Sequence, residues 1–388
     1  MPGYAGFTME EIRLRGHPVW AEIDLGALRH NIRELDRISG RAEVMAVVKG
    51  YAYGHGNPAC AGAMLDAGAT RLGVARVAEA LHLREAGIGA PIHVFTEPPP
   101  EAIPELLDND LIATVYTAPF ARALSNAARA RGRRVPVHVK LDTGMHRVGL
   151  MAHDVPDAVR ELRSLPGIGI EGAWSHFAVA DVVDHPFNRK QLDLFHELLG
   201  HFEGAGVQLT YRHMANSAAT LSMPESHFDI VRPGVASYGL WPSAGLTGSA
   251  DLKPVMSLRA RINMVKRLPG GERLSYGLRY ELDRESRVAT IPAGYADGYD
   301  RRLSQKAEVL LKGRRYLVSG TVCMDQFMVD AGDAAVEVGD TATLLGSDGQ
   351  EAVTAEELAG HIGTINYEVT CRVAARVPRV YIGEADAS

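Results

Sequence analysis

The chain has 388 residues, of which 46% are hydrophobic and 23% charged, an ordinary balance for a globular protein with a sizeable core. Its formal net charge of −6, from 41 basic and 47 acidic side chains, excludes the basic surface that nucleic acids or anionic membranes require. Apolar runs all fall short of the roughly 18 residues of a membrane helix, so the sequence predicts no membrane span.

The cysteines and the N-terminal segment both favour the cytoplasm. Cys60, Cys323 and Cys371 are odd in number and far apart, which predicts reduced thiols and no zinc site. The N-terminus lacks the cationic start and apolar run of a signal peptide. We therefore expect a cytoplasmic location, with residues 1–18 as an N-terminal extension that is loosely held up to about residue 15.

Eight segments between residues 44 and 233 have the composition of short strands, and helical segments separate them. They are VMAVVK (44–49), RLGVA (71–75), PIHVF (91–95), LIATVY (111–116), VPVHVKLD (135–142), GIGIEGAWSHF (167–177), LTYRHMANS (209–217) and FDIVRP (228–233). Strands alternating with helices predict a parallel sheet, and eight such units favour a closed (β/α)8 barrel over residues 19–253. An open doubly wound sheet is the alternative, although no GxGxxG follows the first strand.

Helices are predicted where capping and spacing agree. Asn57-Pro58 opens a helix over 58–67, Gly87 ends one over 76–86, and apolar residues recur at helical spacing over 189–202.

After residue 253 the pattern changes to closely spaced strand-like segments joined by Gly-rich turns. These segments are 256–268, 286–294, 307–322 and 340–346, and only 354–363 has a helical pattern. The sequence therefore predicts a second, mainly antiparallel β domain over residues 254–388.

Polar residues follow the predicted barrel strands, at the ends where barrels of this type carry their sites. Lys49 ends the first strand behind four apolar residues, so we expect burial to lower the pKa of its amine. Such an amine can attack a carbonyl and form a Schiff base. The fifth strand and its loop carry Lys140, Asp142 and Arg147, which form either a salt-bridged structural layer or a polar site with Arg147 free to bind a carboxylate.

The last three strand ends contribute His176, which is either a core residue or a site residue, then the pair Asn216 and Ser217, and then Arg232 with Gly234-Val235. Loops after the last two strands of such barrels commonly hold a phosphate, and the hydroxyl and backbone N–H groups here are suitable donors. A Schiff-base lysine together with a phosphate site is what pyridoxal 5′-phosphate requires. Arg232, which keeps its proton at ordinary pH, would leave the pyridine nitrogen unprotonated and so disfavour transamination.

These segments also match ten motifs of one family in the same order. The motifs are VWAEIDLGALRHN (19–31), AVVKGYAYGHG (46–56), KLDTGMHRVG (140–149), SHFAVAD (175–181), HMANSAA (213–219), VRPGVASYG (231–239), LSYGLRY (274–280), IPAGYADGY (291–299), GTVCMDQ (320–326) and INYEVTCRVAARVPRVY (365–381). The chain resembles the alanine racemases, which are pyridoxal-phosphate enzymes of fold type III, over nearly its whole length.

The resemblance implies roles for individual residues. Lys49 is similar to the lysine that bonds the cofactor and acts as one racemisation base. Arg232 is similar to the pyridine-nitrogen partner, with His176 hydrogen-bonded behind it and Asn216 supporting the site. The residues similar to the phosphate cradle are Tyr53, Ser217, Gly234, Val235 and Tyr367.

The resemblance also implies a homodimer with shared sites and no metal. Tyr276 is similar to a second base that reaches across the dimer interface, and Met324 and Asp325 are similar to residues near the substrate carboxylate. Arg147 would contact both that tyrosine and the carboxylate, and Lys140 matches a position that is often carbamylated. One base on each face would interconvert L- and D-alanine, and the family's usual role is to supply D-alanine for peptidoglycan.

Two positions depart from the family pattern and leave the substrate range open. Gly50-Tyr51 replaces a small residue followed by asparagine, and Thr321 stands where several members carry an arginine. A broad-specificity or non-alanine racemase is therefore the main alternative. Proteins of three other classes are further alternatives. A D-amino-acid aldolase or decarboxylase would use the same lysine. A non-catalytic cofactor carrier would lack the β domain, and a metal-dependent barrel hydrolase would need HxH after the first strand.

Overall fold

The computed structural model describes residues 6–383, which fall into two compact units. The first unit consists of residues 28–52 and 60–253. The second consists, within the described chain, of residues 6–27, 53–59 and 254–383.

The α-helices are α1 (Met9–Leu14), α2 (Leu25–Ser39), the short turn α3 (Lys49–Tyr53), α4 (Asn57–Asp66), α5 (Val77–Glu85), α6 (Ile103–Asp108), α7 (Ala118–Ala130), α8 (Val155–Ser164), α9 (Pro186–Gly204), α10 (Ser217–Ser222), α11 (Ala355–Ile362) and α12 (Asn366–Cys371). The strands are β1 (Val19–Asp24), β2 (Glu43–Val47), β3 (Arg71–Val74), β4 (Ile92–Val94), β5 (Leu111–Val115), β6 (Val135–Lys140), β7 (Ile168–Trp174), β8 (Tyr211–His213), β9 (Ile230–Val231), β10 (Met256–Arg261), β11 (Met264–Leu268), β12 (Arg273–Leu274), β13 (Tyr280–Glu281), β14 (Ser286–Ile291), β15 (Glu308–Leu311), β16 (Arg314–Leu317), β17 (Phe327–Gly332), β18 (Thr341–Asp348), β19 (Glu351–Val353) and β20 (Arg379–Ile382). None of the helices within residues 6–383 is both long and apolar enough to cross a membrane.

The first unit is a nearly closed barrel of eight parallel strands. Its hydrogen-bonded order is β8-β7-β6-β5-β4-β3-β2-β9. Seven of the eight strands lie within one predicted segment each, and β2 begins one residue before its segment, at Glu43. The interior positions of β2, β3 and β5 are almost wholly buried and apolar, as expected for strands that are covered on both faces. The predicted barrel architecture is confirmed.

The helices of the first unit begin and end at recognisable local signals. Thr117 caps α7 through its hydroxyl, which accepts from the Phe120 N–H. Helices α4, α5 and α9 cover the three predicted helical segments within a few residues, and α9 begins at Pro186 with His185 as its cap.

The second unit is built mainly from antiparallel strand pairs. Its largest sheet has seven strands in the order β16-β15-β18-β10-β1-β20, with β19 paired to β18. Strand β1 pairs antiparallel with β10 and parallel with β20, whereas the predicted barrel range of 19–253 includes it. The predicted single segment 256–268 is two strands, because β10 joins the large sheet and β11 pairs with β14 in a separate three-stranded sheet. Helix α12 lies in a segment that the sequence pattern did not mark as helical.

The segment from residue 6 to residue 18 is more ordered than the loose extension that we expected. Thr8 and Glu11 form a capping box that starts α1. Ile12 is buried in a small apolar cluster with Trp20 and Val380, and this burial holds the helix against the sheet. Residues 1–5 of the predicted extension lie outside the described part of the chain.

Candidate active site

Lys49 stands where β2 passes into a left-handed turn. The backbone φ angles of Gly50, Tyr51, Ala52 and Tyr53 are 62°, 59°, 53° and 52°. The Glu79 carboxylate accepts from the Gly50 N–H at 2.7 Å, and its other oxygen accepts from the N–H of Ala75 at 2.8 Å. The strand end is thereby anchored, and Lys49 itself is half-buried.

Tyr51 occupies this left-handed turn, a conformation that costs a residue with a Cβ atom about 1–2 kcal/mol and that asparagine tolerates better. Tyr51→Asn and Tyr51→Ala both remove the ring, so the difference between them reports the backbone alone. We expect the free energy of unfolding of the asparagine variant to exceed that of the alanine variant by about 0.5–1 kcal/mol in urea denaturation. Equal stabilities would contradict a left-handed conformation at this position.

Ser217 joins the loops that follow β8 and β9. Its Oγ accepts from the backbone N–H of Gly234 at 2.8 Å and of Ala236 at 3.2 Å. The Ser217 hydroxyl proton and the buried Val235 N–H have no acceptor among residues 6–383. Asn216 caps α10 by accepting from the Ala219 N–H at 3.0 Å, so it supports this loop through the backbone.

Arg232, at the end of β9, is buried, and its guanidinium is held from several sides. It donates through Nη2 to the carbonyl oxygens of Ser175 at 2.8 Å and Met214 at 3.0 Å, and Cζ lies 4.9 Å from the Trp174 ring centre. His176 Nδ1 lies 3.2 Å from Nη2. Burial and the Arg232 charge hold the pKa of His176 well below its usual range, so this imidazole is neutral and its Nδ1 can accept a hydrogen bond from Arg232 Nη2.

Lys140 ends β6 inside the barrel. Its Nζ donates to the Leu141 carbonyl oxygen at 2.7 Å and lies 4.9 Å from the Trp174 ring centre. Burial, reinforced by Arg232, lowers the pKa of the Lys140 ammonium to about 7. Arg147 is exposed on the following loop, which Asp142 shapes by accepting from the Gly144 and His146 N–H groups. Of the two interpretations of this strand, Asp142 therefore fits the structural one.

In the second unit, Tyr53 and Tyr367 lie side by side, with ring centres 6.1 Å apart. Burial, and then the neighbouring Tyr367, raises the pKa of the Tyr53 phenol, which stays protonated and can donate. The Arg379 guanidinium donates to the Gly54 carbonyl oxygen at 2.8 Å, which fixes the turn that carries Tyr53.

Tyr276 projects from the second unit with 74% of its surface exposed. Its carbonyl oxygen accepts from the Thr321 hydroxyl at 2.9 Å, while the Ser275 hydroxyl donates to the Thr321 carbonyl oxygen at 2.7 Å. Thr321 is itself buried, so the residue that departs from the family pattern holds the Tyr276 loop in place.

Met324 and Asp325 lie on the loop next to Thr321. Met324 is 53% exposed, and Asp325 accepts from Arg376 Nη2 at 2.7 Å. Arg376 also bonds Asp297, so it ties the Asp325 loop to the turn after β14. Sequence analysis did not identify Arg376, Glu79 or Trp174 as site residues. Arg376 was missed because its partners are remote along the chain. Only Glu79 left a local signal, since it stands three residues after the helix cap Arg76.

Comparisons with known proteins agree with this architecture over most of the chain. The models of the N-terminal and the C-terminal domain of alanine racemase match residues 23–242 and 255–381, respectively. The alanine racemase of Carboxydothermus hydrogenoformans is 42% identical over 367 residues, 94% of this chain and 100% of the relative. That of Desulforamulus reducens is 45% identical over 370 residues, 94% and 99% of the two chains.

Solved structures show the same likeness. The alanine racemase crystal structure from Streptomyces lavendulae, a D-cycloserine producer, has a TM-score of 0.91 and 42% identity, covering 95% of this chain and 98% of that one. The one from Bacillus anthracis with bound L-Ala-P has a TM-score of 0.88 and 38% identity, covering 95% and 96%.

The (β/α)8 barrel with a lysine after its first strand is continued by a β domain, and both alanine racemase domain models match it, so the chain is of the class of two-domain isomerases. Within that class, the chain belongs to the alanine racemase family.

Proposed function

We propose that this chain interconverts L- and D-alanine with pyridoxal 5′-phosphate as cofactor, using Lys49 and the partner subunit's Tyr276 as two opposed bases. The observation that carries the proposal is the set of groups at one end of the barrel. One unit holds an amine at the end of β2 and a buried guanidinium at the end of β9. It also holds, in the loops after β8 and β9, donors that have no acceptor within residues 6–383. The usual family role, a supply of D-alanine for peptidoglycan in the cytoplasm, is part of the proposal.

The donors in the barrel fit a phosphate group. The Ser217 hydroxyl proton and the Val235 N–H have no acceptor within residues 6–383, and a phosphate oxygen would satisfy both. Gly234, whose N–H bonds the Ser217 Oγ at 2.8 Å, directly precedes Val235. Tyr53 and Tyr367 add two phenols that we assign to the same phosphate.

Arg232 is suited to face a pyridine nitrogen without protonating it. Burial lowers the pKa of its guanidinium, yet an arginine keeps its charge near neutral pH. It can therefore donate a hydrogen bond but not transfer a proton. With its pyridine nitrogen unprotonated, the bound cofactor would withdraw electrons less strongly. This weaker electron withdrawal favours racemisation over transamination.

The exposure of Tyr276 supports a homodimer with shared sites. The Tyr276 carbonyl oxygen accepts from the Thr321 hydroxyl, which joins Tyr276 to the Thr321 loop. The Tyr295 N–H donates to the Cys323 carbonyl oxygen at 3.1 Å, and the Ala296 N–H donates to the Met324 carbonyl oxygen at 3.0 Å. Tyr276, Tyr295 and Met324 are thus exposed large side chains on hydrogen-bonded loops of the second unit. Exposed large side chains on linked loops usually mark an interaction surface, and a second copy of this chain is the partner we propose.

The protein's part in the reaction is to place one proton-transfer group on each face of the substrate carbon. Pyridoxal phosphate, when bound, acidifies the Cα–H bond of an amino acid by delocalising the electrons left behind. The Lys49 amine removes or returns a proton on one face, and the Tyr276 phenol does so on the other. A phenol has a pKa of about 10, so it needs a cationic neighbour to act as a base near neutrality. We assign this role to Arg147. Arg147, Met324 and Asp325 are the proposed contacts of the substrate carboxylate.

A racemisation panel over all common amino acids tests the proposed substrate. We expect alanine to have the highest kcat/KM. A broad-specificity racemase is the second candidate, because Thr321 is buried and bonded to the Tyr276 loop, so it supplies no cation there. A larger amino acid with an equal or higher kcat/KM would favour that candidate, and racemisation of none would overturn both.

Lys140 is the residue where we expect a carbamate. A pKa of about 7 leaves about half of the amine neutral at pH 7, and the neutral amine is the form that reacts with carbon dioxide. The new bond joins Nζ to the carbon of CO₂, and the released proton goes to solvent. We expect a carbamate signal in ¹³C NMR after exchange with ¹³C-bicarbonate, and its absence in Lys140→Met. Lys190→Met is the control that should keep the signal, since Lys190 is exposed on α9. A signal that survives Lys140→Met would contradict the assignment.

A further inference from the structure

Arg232 is one end of a chain of hydrogen bonds that crosses the barrel interior. Its Nη1 lies 2.9 Å from His213 Nδ1, and His213 Nε2 lies 2.8 Å from His138 Nδ1. His138 Nε2 then lies 3.1 Å from Glu171 Oε2. The chain thus links the end of β9 to β8, β6 and β7 in turn.

The direction of every bond in this chain is fixed by the guanidinium, which can only donate. Because Arg232 donates to Nδ1 of His213, that nitrogen accepts and the ring carries its proton on Nε2. His213 Nε2–H then donates to His138 Nδ1, and His138 Nε2–H donates to Glu171. Both imidazoles are therefore Nε2–H tautomers, and the chain ends at a carboxylate, which can only accept.

The surroundings keep both rings neutral. His138 and His213 are fully buried, and burial lowers the pKa of each, with the Arg232 charge as the second cause for His213. The hydrogen bond from His138 lowers the pKa of Glu171, which stays ionised. Glu171 is 31% exposed and lines a cleft of about 640 Å³ at the amino-terminal ends of β6 and β7. The chain therefore joins a buried cation to a carboxylate that water can reach.

The barrel backbone makes room for this arrangement at Gly172. A Cβ atom at Gly172 would lie 2.7 Å from His138 Nδ1 and 2.9 Å from the Tyr211 carbonyl oxygen. The strand β7 thus lacks a side chain at the point where the His138 ring passes.

A metal ion is the alternative use of these rings, because the nitrogens of His93, His138 and His213 lie within 4.8 Å of one another. The charges disfavour it. The Arg232 guanidinium already occupies His213 Nδ1, and a buried dication beside it would meet strong repulsion. The remaining nitrogens of His138 and His213 bond each other and Glu171, and His93 Nε2 bonds the Thr114 hydroxyl at 2.8 Å.

We infer that Arg232, His213, His138 and Glu171 form a one-directional relay that orients the Arg232 guanidinium and secures its proton. His213, His138 and Glu171 are then positioning residues for the reaction, acting through Arg232. The inference rests on the proposed function in one respect, namely that Arg232 faces the pyridine nitrogen. The relay itself can be tested without the cofactor.

The first test is ¹⁵N NMR of histidine-labelled protein, cofactor-free and cofactor-loaded, with His138→Gln and His213→Gln used for assignment. We expect both rings as Nε2–H tautomers that do not titrate between about pH 5.5 and 8, a range in which an unperturbed histidine does. An Nδ1–H tautomer at either position, in folded protein, would overturn the relay.

The second test separates positioning from simple structure. Glu171→Gln keeps the acceptor oxygen and the size of the side chain but removes its charge. We expect the ratio of transamination to racemisation events to rise about tenfold or more, which corresponds to about 1.4 kcal/mol. Glu161→Gln is the matched control, because Glu161 is 32% exposed in an ion pair with Arg122 outside the relay. Gly172→Ala substitutes none of the four relay residues but displaces the His138 ring. It should shift the ratio of transamination to racemisation in the same direction.

A negative result for the relay can be distinguished from a negative result for the proposed function. If the wild-type chain racemises and the ratio is unchanged in Glu171→Gln and Gly172→Ala, the relay is overturned and the proposed function stands. If the wild-type chain does not racemise any amino acid, the proposed function is overturned, and the tautomers still decide whether the relay exists.

Discussion

Replacing Lys49 with alanine is expected to lower racemisation by at least about 10⁴-fold, because one substitution removes both the covalent anchor of the cofactor and the base on one face. Activity would be measured with both enantiomers of alanine. Borohydride reduction of the loaded wild-type protein should attach the pyridoxyl group to the peptide that holds Lys49, and the variant should not be labelled there. Small primary amines in solution should restore part of the activity, since they replace the missing amine in an otherwise intact site.

The control for this experiment is Lys190→Ala. Lys190 is exposed on α9, and its substitution should change activity by less than about twofold. A pyridoxyl label on a different lysine, or unaltered activity of the Lys49 variant, would refute the assignment of Lys49.

Replacing Tyr276 with phenylalanine is expected to lower racemisation by about 10²–10⁴-fold, the usual contribution of a proton-transfer group. The substitution removes only the phenolic oxygen of a side chain that is 74% exposed, so the fold should be unaffected. In deuterated water, exchange of the α-hydrogen should continue for the enantiomer that Lys49 serves and stop for the other. Tyr316→Phe, on β16 of the same unit, is the matched control and should behave as the wild type.

Mixed dimers test whether Tyr276 acts in the partner's site. A dimer of one Lys49→Ala chain and one Tyr276→Phe chain has one doubly defective site and one intact site if the sites are shared. Random exchange of equal amounts should then restore about a quarter of wild-type activity, since half of the dimers are mixed. Subunit exchange without recovery would show that each chain uses its own tyrosine.

The barrel was predictable because its signals are local. Each strand of the barrel is a short buried run followed by a turn and a helix, and this pattern is complete within about 25 residues of sequence. The position of Lys49 at a strand end follows from the same pattern. The motif order then pointed to the alanine racemase family, to which the chain belongs.

Other features could not be predicted because they depend on partners far away in sequence. The strand pattern of 19–24 does not say whether it joins the barrel or the second sheet, and pairing with β10 and β20 decides it. Likewise, the single run 256–268 divides between two sheets at the turn after Arg261.

By itself, the sequence determined the barrel, the β domain and the chemical groups available at the strand ends, because periodicity and side-chain type are properties of neighbouring residues. Only the tertiary structure decided how those groups are connected. His138, His213 and Glu171 have no local motif, and they meet Arg232 because β6, β7, β8 and β9 converge in one barrel interior. The physical reason is that hydrogen-bond direction and charge burial depend on distances in space, which a linear pattern does not contain.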